Sequence, residues 1–264
     1  MSRETGPARA VNYGLDAPYV VRNFALIGAA CVTIGLALVL AGQPGVLGIP
    51  LRDMGLSAGP VCLLMAGWMY WGGTRGKLRT RDRLLALVPW RGDETVLDVG
   101  CGRGLLLIGA AKRLTSGKAV GVDLWSKDDL ADNRPEATRE NVALEGVADR
   151  VEVRDGDARQ LPFADGTFDV IVSRAVLHNI YHAAGRQQAV REIARVLKPG
   201  GCVALFDIRH TGEYVNVLGE CGLTDVRRVG SPVVAGLLAV ATFGNLHPFT
   251  VTGRKAAEKS PTTG

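Results

Sequence analysis

The sequence predicts an α/β domain in which short apolar strands alternate with helices, preceded by a pair of apolar helices. Three observations predict this fold class. A strand, a glycine-rich turn and a helix follow one another over residues 95–114. Further strand–helix units continue to about residue 255, and two segments almost free of charge lie before residue 75. The length of 264 residues accommodates one such domain together with an additional segment.

The apolar segments within residues 24–74 predict a two-helix membrane hairpin. Residues 24–42 form an almost continuous apolar run of about the length that crosses a bilayer, and residues 55–74 are again free of charge. Pro44 and Pro50 predict a turn between the two helices. The second segment ends in aromatic residues followed by cations, which is typical of a membrane interface.

The charges on either side orient this hairpin. Residues 1–23 and the segment from Arg75 onward are rich in cations, whereas the connecting loop carries only Arg52, which Asp53 offsets. The positive-inside rule then places both termini in the cytoplasm and makes residues 1–23 a cytoplasmic segment. Three alternatives stay open: a cleaved signal peptide, a re-entrant or interfacial helix, and a buried helical pair.

A glycine turn follows the first strand of the α/β domain, residues 95–99. The strand carries Asp98, and a helix over residues 105–114 follows the turn. Glycine lets backbone amides at such a turn come close to a bound ligand. The dinucleotide-binding spacing fails here, because Leu105 occupies the position of its third glycine. The glycines of the turn stand at every second position: Gly100, Gly102 and Gly104.

The remaining elements follow in alternation. The second strand ends at Asp123, about where a ribose-binding carboxylate belongs in a nucleotide-binding unit. Apolar periodicity and turn residues predict further strands at 150–154, 168–174, 202–208, 225–229 and 249–254. They also predict helices at 135–145 and 189–197, the second of which ends at the turn Lys198-Pro199-Gly200-Gly201.

The alternating glycines after Asp98 resemble motif I of the class I S-adenosylmethionine-dependent methyltransferases. Asp157 and the Leu-Lys-Pro-Gly-Gly sequence at 197–201 are similar to later signatures of the small-molecule, type-11-like branch. The resemblance covers about residues 93–255. It implies a Rossmann-like sheet of seven strands, parallel with one antiparallel strand, and S-adenosylmethionine as the cofactor.

The resemblance also defines the predicted domain organisation. The methyltransferase domain is expected over residues 75–255, followed by a flexible tail at 256–264. An apolar insertion at about 232–247 separates the sixth and seventh strands and leaves the carboxyl end of the sixth. Ligands bind at the carboxyl ends of strands in such sheets, so the insertion is expected near the substrate entrance. A dimer interface or an ordinary packed helix is the alternative.

The resemblance implies the cofactor-binding residues. The carboxylate of Asp98 orients the glycine turn, that of Asp123 binds the ribose hydroxyls, and Asp157 binds the adenine edge. Helix or turn capping by the aspartates, and a core position for Trp125, stay open as alternatives. The full expected set is Asp98, Gly100, Cys101, Gly102, Gly104, Asp123, Leu124, Trp125, Asp157, Ala158 and Ser173.

Four residues after the fourth and fifth strands are candidates for catalysis on the acceptor side. His178 and His182 would share a helix face if their segment is helical, and either could act as a base. Asp207 and His210 follow the fifth strand and point at the same pocket. A packing or hydrogen-bonding role for His178 stays open. No spacing supports a metal site.

The composition limits the classes of binding partner and the cellular compartment that the sequence predicts. The net charge of +5 comes from scattered cations that are not interleaved with aromatic residues, so no nucleic-acid footprint is present. The five cysteines form no C-x-x-C pair, which favours a reducing compartment.

Together these features predict a membrane-anchored methyltransferase with its catalytic domain on the cytoplasmic side. It would transfer a methyl group by in-line displacement to a small, lipophilic acceptor. A non-catalytic, S-adenosylmethionine-binding regulatory membrane protein is the alternative. A homo-oligomer through the membrane helices or through the apolar insertion is a further expectation left open.

Overall fold

The computed structural model describes residues 10–42, 51–242 and 244–257. The described chain forms two compact units. One contains the apolar helices, with residues 14–78 and the short segment 126–132. The other contains the sheet, with residues 10–13, 79–125 and those from 133 onward. The predicted turn with Pro44 and Pro50, the first nine residues and most of the predicted tail lie outside the described residues.

Two long helices pack against each other in the helical unit. Helix α1 spans Pro18–Leu40 and helix α2 spans Leu51–Trp71. The contacts of α1 run in the reverse order along α2, so the helices are antiparallel. A Cβ atom on Gly55 would lie 2.6 Å from the carbonyl oxygen of Cys31, and one on Gly59 would lie 2.6 Å from Cγ2 of Val32. Glycine at these positions therefore lets the two backbones approach closely.

Helix α1 begins at Pro18, six residues before the predicted start of the hairpin, because proline suits the first turn of a helix. Among the described helices, α1 alone is long and apolar enough to cross a membrane. A π-helical turn, Gly72–Gly76, follows α2 and leads into α3, Lys77–Leu85. Residues 126–132 pair with the N-terminal segment through a β-bridge between Asp16 and Leu130.

The other unit is built on a single seven-stranded sheet with the order β3-β2-β1-β4-β5-β7-β6. All neighbours are parallel except β7, which is antiparallel to both β5 and β6. This arrangement confirms the predicted sheet. The strands are β1 Thr95–Val99, β2 Lys118–Asp123, β3 Val151–Asp155, β4 Phe168–Arg174, β5 Leu197–Asp207, β6 Leu223–Val229 and β7 Phe249–Lys255.

Besides most of α3, the described part of this unit contains the helices α4 Leu105–Ala111, α5 Pro135–Leu144, α6 Ala183–Val196, α7 Thr211–Glu220 and α8 Pro232–Ala241. Two apolar clusters form its core. Successive residues of β1 divide between them, since Leu97 packs in one cluster and Val96 in the other. A strand buried on both faces reads as a continuous apolar run, which is why β1 was recognisable in the sequence.

Two local expectations were wrong. The Leu-Lys-Pro-Gly-Gly sequence was expected to form a turn before the fifth strand, but β5 begins at Leu197, which pairs with Phe168. The register shifts before Val170 pairs with Cys202, so the intervening residues form an irregularity inside the strand. The segment after β4 was considered as a helix, but it holds only a short 3₁₀ turn, Leu177–Asn179.

Candidate cofactor and acceptor site

The glycine turn lies between the carboxyl end of β1 and the start of α4. Gly100 has a φ of 72°, in the left-handed region that favours glycine. A Cβ atom at this position would lie 2.4 Å from both Cγ atoms of Val176, in the loop after β4. The turn therefore needs glycine both for its backbone conformation and for the close approach of that loop. Gly102 and Gly104 also have positive φ values.

Hydrogen bonds hold this turn in place. The backbone N–H groups of Gly100 and Cys101 donate to the carbonyl of Val122 at 2.8 and 3.0 Å, which ties the turn to β2. The hydroxyl of Thr138 in α5 donates to the carbonyl of Gly102 at 2.6 Å. Thr138 is fully buried, and the sequence did not single it out.

Asp123 lies at the carboxyl end of β2, as predicted, and its carboxylate faces the turn. Oδ2 accepts a hydrogen bond from the N–H of Gly102 at 2.8 Å. Oδ1 accepts from the N–H of Trp125 at 2.6 Å and from the side-chain amide of Asn133 at 3.1 Å. The carboxylate is thus half-buried and fixed against the glycine turn.

Asp98 is buried inside β1, with 1 % of its surface exposed. Its Oδ2 accepts a hydrogen bond from the N–H of Leu107 in α4 at 2.8 Å. Burial raises the pKa of Asp98 to about 8, and the nearby carboxylate of Asp123 adds to the rise. Burial also raises the pKa of the Cys101 thiol well above its usual value, so this sulfur is not set up as a nucleophile.

The predicted adenine-side residues lie after β2 and β3. Asp157 accepts a hydrogen bond from the N–H of Arg159 at 2.8 Å and forms an ion pair with its guanidinium, which lowers the pKa of that carboxyl. Ala158 is buried, whereas Leu124 is 64 % exposed. Trp125 packs partly against the core and donates from Nε1 to Asp155 at 2.6 Å.

Ser173, near the end of β4, is buried, and its hydroxyl donates to the carbonyl of Val99 at 2.8 Å. The side chain therefore links β4 to the last residue of β1, directly before the glycine turn. The predicted cofactor residues thus come from adjoining strand ends at one edge of the sheet.

His178 and Asp207 come together where β4 and β5 end. Asp207 is 1 % exposed, and its Oδ1 lies 2.5 Å from Nδ1 of His178. The same oxygen accepts a hydrogen bond from the N–H of Ile208 at 2.8 Å. Oδ2 accepts from the N–H of His178 and from the hydroxyl of Tyr214, both at 3.0 Å. Burial and the Asp207 carboxylate raise the pKa of that phenol.

The other two candidate histidines lie outside the hydrogen bonds described for this pair, although the charge of Asp207 acts on His210. His178 and His182 would share a face only in one helix, and they do not, because His178 lies in the 3₁₀ turn and His182 is the residue before α6. His182 is exposed beside Tyr181. His210 precedes α7 with a φ of 59°, and partial burial, with repulsion from Arg186, lowers the pKa of its imidazole. Within the described ranges, no group of three potential metal ligands is present.

The glycine turn and the carboxylate of Asp123 fit a nucleoside cofactor at the carboxyl ends of β1 and β2. A seven-stranded sheet of this order, with an antiparallel β7 and this turn, defines the Rossmann-like methyltransferase fold. Residues 97–205 match the family model described as a methyltransferase domain. This segment of the chain therefore matches a methyltransferase domain, the class of domain whose cofactor is S-adenosylmethionine.

Comparisons with known proteins agree with this assignment. A 27-O-demethylrifamycin SV methyltransferase of Amycolatopsis mediterranei is 34 % identical over 161 residues, covering 60 % of this chain and 53 % of that protein. A demethylmenaquinone methyltransferase of Symbiobacterium thermophilum is 36 % identical over 118 residues, 44 % of this chain and 43 % of that protein. The crystal structure of the cyclase SpnF matches with a TM-score of 0.55 and 21 % identity, over 70 % of this chain and 83 % of that chain.

These matches cover only part of each curated relative. The chain spans about half the length of the curated relatives it matches. The likeness to SpnF shows the fold alone, and that protein is named as a cyclase. The fold and cofactor therefore follow from the comparisons, whereas the acceptor must be inferred from this chain's own residues.

Proposed function

We propose that this chain is a membrane-anchored methyltransferase that transfers a methyl group from S-adenosylmethionine to a small, lipophilic acceptor. One observation carries the proposal. The glycine turn with Asp123 and the His178–Asp207 pair lie at the same edge of one sheet, and Val176 joins them by packing against Gly100. A cofactor cradle and an acceptor-side polar pair are thus neighbours.

The chemistry asks little of the protein beyond positioning. The sulfonium of S-adenosylmethionine supplies an already activated methyl group. The residues that would hold this cofactor are the glycine turn, Asp98, Asp123 and Asp157. The loop after β4 lies directly against Gly100, where it can exclude water from the space beside the turn. Alignment of the two reactants accounts for a large part of the rate enhancement in such a displacement.

Helix α1 supports membrane anchoring. It has 23 residues, carries apolar side chains that the described chain leaves uncovered, and has a membrane-compatible composition. Leu26 is 61 % exposed and Leu40 is 89 % exposed. Burying such side chains in lipid is favourable, at about 25 cal/mol per Å² of apolar surface. With α2 as the second half of the hairpin, the cationic flanks favour a cytoplasmic catalytic domain.

Helix α8 supports a lipophilic acceptor. It is uncharged, and Leu237 and Val240 are 67 % and 80 % exposed. The segment that follows it is tied to the end of β5, since Arg209 donates to the carbonyl of Asn245 at 2.8 Å and His247 donates to that of Ile208 at 2.7 Å. An apolar surface is thus attached to the acceptor side of the site. The relatives named as acting on demethylmenaquinone and on sterols agree with such an acceptor.

Labelled methyl transfer tests this proposal. The detergent-solubilised full chain is incubated with methyl-labelled S-adenosylmethionine and a total membrane extract, and the products are partitioned between organic and aqueous phases. Label in the organic phase is the expected result. Label confined to the aqueous phase would contradict a lipophilic acceptor, but it would still support methyltransferase activity. Cofactor binding without transfer to any fraction would favour the non-catalytic regulatory protein.

Substitutions on α8 separate the two parts of the proposal. Leu237→Gln and Val240→Gln change side chains that are largely exposed, so the fold should be retained. We expect lower turnover of the organic-phase acceptor presented in vesicles, with unchanged binding of S-adenosylhomocysteine. Unchanged turnover would show that α8 does not contact the acceptor or its membrane.

A further inference from the structure

The contact between His178 and Asp207 determines which ring nitrogen of His178 carries the proton. Nδ1 of His178 is buried and lies 2.5 Å from Oδ1 of Asp207, in an alignment that does not meet hydrogen-bond geometry. This contact is favourable only when Nδ1 carries the ring proton, which leaves the lone pair on Nε2. The hydroxyl of Tyr214 and two backbone N–H groups fix the carboxylate from its other sides. Asp207 therefore selects one tautomer of the imidazole.

The free edge of the imidazole is the part that remains accessible. The His178 side chain is 16 % exposed although its Nδ1 atom is buried, so the exposed surface belongs to its other atoms, and Nε2 is not among the buried unpartnered atoms. His178 stands two residues after Val176, the residue that packs against Gly100. Nε2, which carries the lone pair, thus belongs to the loop that packs against the glycine turn.

The ion pair between Arg186 and Glu213 holds the chain around His178. Arg186 in α6 is 6 % exposed and donates from Nη1 to the carbonyls of Ile180 and Tyr181 at 3.0 and 2.9 Å. Its Nη2 donates to Glu213 in α7 at 2.9 Å. The backbone just after His178 is therefore clamped between two helices, which is the rigidity that a positioned base requires.

The geometry points to His178 as a general base for an acceptor that reacts through a hydroxyl group, with Asp207, Tyr214 and Arg186 as positioning residues. The inference rests on the proposed function and specifies its substrate class. A sulfonium donor needs a base only when the acceptor must lose a proton of high pKa, which holds for alcohols and phenols at neutral pH. An acceptor that is already nucleophilic would leave this arrangement without a chemical role.

The hydroxyl proton passes to Nε2 of His178 while the hydroxyl oxygen forms a bond to the methyl carbon. The carbon–sulfur bond breaks, and its electrons stay on sulfur, which leaves as a neutral thioether. The positive charge of the sulfonium is thereby replaced by that of the imidazolium, which Asp207 stabilises. The imidazolium then releases its proton to solvent.

Two acceptors of different acidity test the inference. The probes are a phenol and a nitrophenol with the same long alkyl chain, assayed at mildly alkaline pH, where the nitrophenol is already ionised. His178→Gln should lower kcat for the phenol by about 10²-fold or more, the range of general base catalysis, and that for the nitrophenol by less than about tenfold. His247→Gln changes an exposed side chain and keeps the backbone N–H that donates to Ile208, so it is the matched control.

Two further readouts do not depend on turnover. Binding of S-adenosylhomocysteine by His178→Gln should match the wild type, which shows that the cofactor site is intact. The nitrogen NMR signals of His178 should report a protonated Nδ1 and an unprotonated Nε2, and Asp207→Asn should abolish this preference. If His178→Gln does not fold, Tyr214→Phe removes a single hydroxyl and should give the same selective loss at smaller size.

Each other outcome overturns a specific claim. Equal losses with both probes, or no loss with either, would exclude a base role for His178. Transfer by the wild type to a long-chain thiol or amine but to neither phenol would overturn the hydroxyl class while the proposed methyltransferase stands. Cofactor binding with no transfer to these probes or to a membrane extract would overturn the proposed function itself, and this inference with it.

Discussion

Substitution of Gly100 by alanine should destabilise the protein for two separable reasons. An L-residue in the left-handed region costs about 1–2 kcal/mol, and Gly100 has a φ of 72°. The added Cβ atom would also lie 2.4 Å from the Cγ atoms of Val176, a contact that must be relieved by movement of the loop. Overpacking of this kind costs about 1–3 kcal/mol. The sum is about 3 kcal/mol.

Gly146 provides the matched control, because it has a φ of 70° and no heavy atom within 4 Å of its Cβ position. Gly146→Ala should therefore lose only about 1 kcal/mol, from backbone conformation alone. The Tm of the full chain and that of each variant are measured by thermal unfolding in detergent. For a domain of this size, about 1 kcal/mol corresponds to about 2–4 °C in Tm, so we expect shifts of about 6–12 °C for Gly100→Ala and about 2–4 °C for the control.

A double-mutant cycle isolates the steric contribution. Val176→Ala removes the methyl groups that the new Cβ would meet, so the combined variant should recover about 1–2 kcal/mol relative to the sum of the single changes. Equal Tm shifts for Gly100→Ala and Gly146→Ala, or an additive cycle, would refute the packing of the loop against the turn. Binding of S-adenosylhomocysteine should weaken with Gly100→Ala only.

Three further predictions concern buried groups and helix packing. The folded-state pKa of Asp98, about 8, exceeds its unfolded value of about 4. The stability linked to its protonation is therefore present below about pH 4 and lost as pH rises through about 8. In denaturant titrations the wild type should lose stability relative to Asp98→Asn across this window. An unchanged difference would exclude a raised pKa. Thr138→Val leaves the carbonyl of Gly102 without its hydroxyl donor and should cost about 1–3 kcal/mol in the same titrations. Gly55→Leu should separate α1 from α2 and lower the Tm, whereas Gly67→Leu, with open space at its Cβ position, should have little effect; equal effects would contradict the packing.

The parts of the fold predicted from sequence are those that local patterns determine. Strand β1 and its turn were recognisable because buried strands are rich in apolar residues and glycine suits a tight turn between a strand and a helix. The position of Asp123 followed from the spacing of one strand–helix–strand unit. The seven-stranded sheet with one antiparallel strand came from the resemblance to a family and is confirmed by the structure, which supplies the strand order.

The parts that were missed depend on contacts between distant residues. Tyr214 and Arg186 have no sequence pattern of their own, and their roles arise because α6 and α7 bring them to the loop after β4. His178 and His182 have helical spacing, yet Asp207 captures the backbone N–H of His178 and the chain forms a 3₁₀ turn there. Hydrogen bonds across 29 residues overrode the local periodicity.

The most direct test of the whole account is cofactor binding by calorimetry, since it needs no acceptor. The purified full chain should bind S-adenosylhomocysteine with a Kd of about micromolar order and should not bind a nicotinamide dinucleotide. Asp123→Ala should weaken binding of S-adenosylhomocysteine by about tenfold or more, because one or two hydrogen bonds to a charged group are lost. Binding of the dinucleotide, or unchanged affinity after loss of the Asp123 carboxylate, would contradict the assignment of this site.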